Sequence, residues 1–224
     1  MGRASPENGG AMKTILCYGD SNTWGAVPIT DYGRIARHDR ETRWPGVLRN
    51  ALGDKFGVIE EGLPARTTTH NDPVQGDYKN GAAFLHACVE SHMPLDLAVI
   101  ALGTNDLKER FDLSPEEIAA GAGTLLDMIR GFDLARYGRT PKLLLVCPPP
   151  LGKLDLFADV FKGGLEKSKK LAPLYARAAK AGAAHFLNAG AIVATSDVDG
   201  VHWDAGAHRA FGAAVASRVR EILG

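Results

Sequence analysis

Apolar residues run almost unbroken through five short segments, 14–18, 56–60, 97–102, 142–147 and 185–187, each closed by turn-forming residues. Runs of that length and composition read as buried β-strands. Between them the apolar positions recur at helical spacing over 44–52, 81–91, 115–130, 164–181 and 205–223. The third helix has a clear start: Ser114 precedes Pro115, and Glu117 three residues on completes a capping box. Asp204 reads as the N-cap of the last helix. Parallel strands need crossover helices, so strict strand–helix alternation predicts a parallel sheet with both faces covered. The expected fold is a three-layer α/β/α sandwich on a flavodoxin-like five-stranded parallel sheet, forming one domain over 13–224 behind a loose tail at 1–12. Two connections, 23–43 and 148–163, are longer than a domain of this kind needs. The second carries Leu154, Leu156, Phe157, Val160 and Phe161, which either wall a pocket, meet another subunit or pack on their own domain.

Charge narrows the classes of partner. Lys plus Arg equals Asp plus Glu at 26 each, so no net field draws a polyanion and nucleic acid is not expected. Cys17, Cys88 and Cys147 form an odd, scattered set suited to buried free thiols in a reducing compartment. No apolar stretch is long enough to span a membrane and no secretory signal is evident, so a cytoplasmic chain without membrane contact is expected.

In open parallel sheets ligands bind beyond the carboxyl ends of the strands, where strand order reverses. Those ends carry Gly19-Asp20-Ser21-Asn22, Gly62-Leu63-Pro64-Ala65-Arg66-Thr67-Thr68, Gly103-Thr104-Asn105-Asp106 and, past the fifth strand, Asp199-Gly200-Val201-His202. With order 2-1-3-4-5, Ser21, Ala65 and Asn105 converge at one rim. A serine hydroxyl is a weak nucleophile until a base takes its proton, and His202 with Asp199 offers a base and its orienting group. Each block also has a structural reading: Ser21 as a helix cap, Asn105-Asp106 as a turn, Asp199-Gly200 as a turn pair. Three such blocks at strand ends in a workable order favour the catalytic one. Metal and nucleotide motifs fail. Asp197-Val198-Asp199-Gly200 lacks the rest of a calcium loop, His202, Asp204 and His208 lack zinc spacing, and no P-loop or Gly-x-Gly-x-x-Gly follows the first strand. No metal and no cofactor is expected.

The four blocks resemble those of the SGNH (GDSL-type) hydrolases. More narrowly, 18–25, 59–68 and 147–151 are similar to the bacterial arylesterase/acyltransferase branch. That resemblance implies a serine esterase acting on short-chain aryl and alkyl esters through an acyl-serine, with possible transfer to alcohols or peroxide. It implies Ser21, Asp199 and His202 as catalytic residues, with Ser21, Ala65 and Asn105 forming the oxyanion hole. Asp20, Trp24, Thr104 and Phe157 are the expected substrate contacts. It also implies a homo-oligomer, as large as an octamer in some members. Ala65 stands where the wider family carries glycine, and Asn22, Pro64 and Ala26 depart from close relatives. Another activity of the same family (thioesterase, lysophospholipase or carbohydrate deacetylase) would use the same residues, and a non-catalytic binding domain is the alternative of a different class.

Overall fold

The structure, a computed structural model, describes residues 12–132 and 137–224; nearly all of the expected N-terminal tail lies outside them. Five parallel strands, Lys13–Gly19 (β1), Phe56–Gly62 (β2), Leu97–Ala101 (β3), Lys142–Cys147 (β4) and His185–Asn188 (β5), form one sheet in the order β2-β1-β3-β4-β5. This is the expected order. Reversal falls between β1 and β3, where both chains end side by side, Gly19 opposite Ala101.

Two helical layers cover the sheet. Trp44–Leu52 (α2) and Ala205–Leu223 (α7) bury Trp44, Leu48, Phe211, Val215 and Val219 against Ile15, Cys17, Val99 and Leu144. Gly81–Ser91 (α3), Pro115–Gly131 (α4) and Leu171–Ala181 (α6) bury Leu85, Ile118, Leu125, Leu171 and Tyr175 against Leu16, Tyr18, Ala98, Ile100 and Leu145. Alternate residues of each central strand thus feed opposite cores, as the strand period of two requires. The capping box at Ser114 and Glu117 is present, and Asp204 caps α7 by accepting from Ala207 N–H.

The expected helix over 164–181 is two helices, Gly164–Ser168 (α5) and α6. Pro173 has no N–H to bond Lys169, and its ring crowds that carbonyl, so the axis breaks there. Ser168 at the break uses its hydroxyl to accept from Leu151 N–H at 3.0 Å and donate to Leu165 O at 2.7 Å, tying down the start of the 148–163 loop. In that loop Phe161 is buried in its own domain, with Leu154, Phe157 and Val160 packed against the same core.

Candidate active site

β1 ends at Gly19 and the chain turns directly into the short helix Ser21–Trp24 (α1). Only glycine fits at the turn: a Cβ at position 19 would lie 2.0 Å from Thr23 Oγ1 and 2.8 Å from Ala101 O. Asp20 caps α1, accepting from Asn22 N–H at 2.9 Å. This leaves the Ser21 hydroxyl facing the segment after β5. There His202 Nε2 lies 3.1 Å from Ser21 Oγ, and His202 Nδ1 lies 2.7 Å from Asp199 Oδ2. An ionised carboxylate only accepts, so Nδ1 carries the ring proton and Nε2 turns its lone pair to the serine hydroxyl.

Asp199 is fully buried. Oδ1 accepts from Val201 N–H at 3.0 Å and His202 N–H at 2.9 Å, while Oδ2 accepts from His202 Nδ1 and from Ile29 N–H at 2.9 Å. Burial pushes its pKa up, but the hydrogen bond and charge of His202 and the two following N–H groups outweigh that and hold it below the usual value. The Ile29 contact also ties the 23–43 loop to the site.

The second and third blocks are bonded to each other. Ala65 has φ +67, the left-handed region. That backbone is costly for alanine and natural for glycine, which accounts for the glycine expected there. Asn105 opens a 3₁₀ turn, and its Nδ2 donates to Arg66 O at 3.1 Å, leaving its second hydrogen for another acceptor. Among the described residues, the backbone N–H groups of Ser21 and Ala65 donate to no other group. Asp106 holds the two blocks together, accepting Thr68 N–H at 3.0 Å on each oxygen and Thr68 Oγ1 at 2.5 Å.

Two residues contribute in ways the sequence did not indicate. Asn22 donates from Nδ2 to Val201 O at 3.2 Å and accepts from Trp203 N–H at 3.1 Å, joining the nucleophile's helix to the histidine's segment. Arg66 donates to Gly19 O at 2.9 Å and Glu61 O at 2.5 Å, with its guanidinium 4.0 Å over the Tyr18 ring, and so pins the ends of β1 and β2. Both lie inside the strand-end blocks, but neither was given a role there. Only the strand order brings their partners within reach.

The expected substrate contacts separate. Phe157 reaches the site: its ring lies edge-on to His202 at 6.1 Å and to Tyr32 at 5.7 Å, so both long loops meet beside the imidazole. Asp20 and Thr104 are buried and line a cavity of about 20 Å³ with Trp44 and Trp203. That space holds one water and no ester, so the two residues support the turn under Ser21. Burial raises the Asp20 carboxyl to about 6 against the Asn22 N–H and the His202 and Thr104 interactions that lower it. Trp24 stacks under Arg37 at 4.8 Å and accepts from Arg37 Nε at 2.7 Å, which gives it a place in anchoring the 23–43 loop.

Comparison with known proteins decides the family. A profile of the GDSL-like lipase/acylhydrolase family matches residues 17–210. The chain belongs to that family. Within it, the native aryl esterase of M. smegmatis is similar at 42% identity over 94% of this chain and 100% of that one, with a TM-score of 0.90. A carbohydrate acetylesterase from Sinorhizobium meliloti shares 40% identity over 94% of this chain and 100% of its own, with a TM-score of 0.89. A putative arylesterase from Agrobacterium tumefaciens str. C58 shares 42% over 95% and 100%, with a TM-score of 0.86. Among curated proteins nothing matches. A GDSL-like acylhydrolase with such neighbours is a hydrolase of carboxylic esters. Among the described residues no helix is long and apolar enough to cross a membrane.

Proposed function

We propose that this esterase cleaves short-chain aryl and alkyl esters with Ser21 as nucleophile, His202 as general base and acid, and Asp199 as the group that orients and stabilises the imidazolium. The carrying observation is the unbroken chain from Ser21 Oγ through His202 to Asp199, at 3.1 and 2.7 Å. Ser21 Oγ attacks the ester carbonyl as His202 Nε2 takes its proton. The carbonyl oxygen becomes an oxyanion, held by the Ser21 and Ala65 N–H groups and the free Asn105 Nδ2 hydrogen. Collapse breaks the acyl–oxygen bond, and His202 returns the proton to the departing alkoxide, leaving an acyl-serine. Water attacks it by the same route, regenerating Ser21 and releasing the acid. An alcohol or peroxide in place of water gives acyl transfer. The Phe157 ring, 6.1 Å from that of His202, supports a role for it in lining the acceptor's approach.

The aryl-ester reading draws on the 42% identity with the M. smegmatis aryl esterase, and the S. meliloti acetylesterase supports acetyl as the acyl group and acetylated sugars as a second substrate class. We also place the chain in the cytoplasm, as a homo-oligomer needing neither cofactor nor metal for the reaction. Tyr32, Ile35, Val74 and Tyr78 are among the exposed large apolar side chains available to a second copy.

The test is release of p-nitrophenol from p-nitrophenyl acetate, butyrate and octanoate by wild type and Ser21→Ala, with an acetylated sugar in parallel. Loss of turnover in the variant and decline with chain length support the reading. Equal turnover by both proteins ends it.

A further inference from the structure

Glu61, at the end of β2, and Cys88 and His92, one turn apart at the end of α3, stand outside the Ser21 machinery yet face one another. One possible ligand atom from each lies within 4.8 Å of the other two. Cys88 Sγ is 4.0 Å from His92 Nδ1, and His92 Nε2 is 3.7 Å from Glu61 Oε1. Nδ1 is 2.8 Å from Cys88 O, so it donates to that carbonyl, and the neutral ring turns the lone pair of Nε2 toward a carboxylate. His92 Nε2 and Glu61 Oε1, 3.7 Å apart, leave room between them for a cation.

We propose that Glu61, Cys88 and His92 form a binding site for a soft divalent cation of the zinc class. Thiolate, imidazole and carboxylate are the donors zinc prefers. With bonds of about 2.0 to 2.3 Å, tetrahedral zinc holds its donors roughly 3.3 to 3.8 Å apart, so the set closes with side-chain shifts of about 1 Å. A carbonyl fixing the far nitrogen of the histidine is the usual outer support of such a ligand. Glu61 also lines a cleft with Gly62, Leu63, Arg66, Tyr78 and Phe84, from which water would complete the ion's coordination. On binding, the Cys88 S–H bond breaks, the sulfur electron pair goes to the metal and the proton leaves to solvent. Glu61 and the Cys88 thiolate supply two negative charges. The nearby Arg66 guanidinium offsets one of them. The free thiol is no nucleophile, because burial and the Glu61 charge raise it to about 12.

The test uses the full chain stripped with chelator, titrated with Zn²⁺ by calorimetry and with Co²⁺ by absorption. The expected result is one Zn²⁺ per chain, a rise in Tm on binding, and a thiolate-to-cobalt charge-transfer band. His92→Gln and Glu61→Gln should each weaken binding by about tenfold or more, since even outer-shell losses cost that much. Cys88→Ala should abolish the band. Should Cys88→Ala fail to fold, the two partly exposed positions carry the same test, their folding checked by circular dichroism. Absence of saturable binding, a missing charge-transfer band, or a signal that survives the substitutions overturns the proposal.

Discussion

Replacing Asp199 by Asn isolates what the buried carboxylate does. The amide has one acceptor where the carboxylate has two, and the structure decides where it goes. With the amide oxygen at Oδ2, the NH₂ faces the N–H groups of Val201 and His202, losing two bonds. With the oxygen at Oδ1, both are kept and the NH₂ faces His202 Nδ1 and Ile29 N–H. The second placement costs less. His202 must then accept at Nδ1 and carry its proton on Nε2, where it can no longer take the proton of Ser21. By analogy with the serine proteases, kcat should fall by about 10⁴ with little change in KM. The Ile29 N–H, buried and now facing a donor, costs about 1 to 3 kcal/mol. At about 2 to 4 °C per kcal/mol for a chain of this size, Tm should drop by roughly 2 to 12 °C. The wild-type advantage also depends on pH. A carboxyl held below its usual pKa stabilises the fold above its unfolded value and loses that contribution as pH falls through the folded value. The two melting temperatures should therefore converge in strong acid. Steady-state kinetics on p-nitrophenyl acetate and calorimetric melts read both effects. An Asp199→Asn enzyme within tenfold of wild type would refute the tautomer argument, and an unchanged Tm would refute the Ile29 anchor.

Ala65→Gly removes the left-handed strain at φ +67 while keeping the N–H, so Tm should rise by about 1 to 4 °C with kcat unchanged, the gain in the fold being partly offset by a freer unfolded chain; a fall in Tm counts against the strained turn. Asp20→Asn keeps the cap on Asn22 N–H and removes a buried carboxyl titrating at about 6 rather than 3.8. Because the folded state holds that proton more tightly, ionising Asp20 destabilises wild type as pH climbs from about 4 to 6. The Tm of the variant minus that of wild type should therefore grow over that interval and level off above it, and a flat difference contradicts the burial argument. Asn105→Ala should lower kcat by about 10² to 10³ with KM little altered, as for one lost oxyanion donor, and a change confined to KM would remove Asn105 from that role.

The parallel sheet was legible because near-continuous apolar runs such as 97–102 suit a sheet covered on both faces, and the flavodoxin-like order then places the loops. The same logic brought Ser21 and His202 together across 181 residues of separation. Side-chain direction was not legible. Asp20 and Thr104 flank Ser21 and Asn105 in sequence, yet they point behind the nucleophile into a space for one water. Trp24 follows Ser21 by three positions and answers to Arg37, a residue of the loop that sequence left unshaped. The break near Lys169 was visible in Pro173, but the strong helical spacing on both sides masked it. Asn22 joins two blocks through backbone atoms of Val201 and Trp203, and backbone partners leave no mark in the sequence. Glu61 and His92 meet for a similar reason: their elements are neighbours only in the folded sheet.

The central claim is that an acyl group passes through Ser21. Wild-type enzyme mixed with excess p-nitrophenyl acetate, quenched in acid within a turnover and digested, should give the peptide holding Gly19-Asp20-Ser21 with the added mass of one acetyl group, fragmenting to place it on Ser21, and His202→Ala should give none above background. Acetyl found on another residue, or turnover with no labelled peptide at any quench time, contradicts the account.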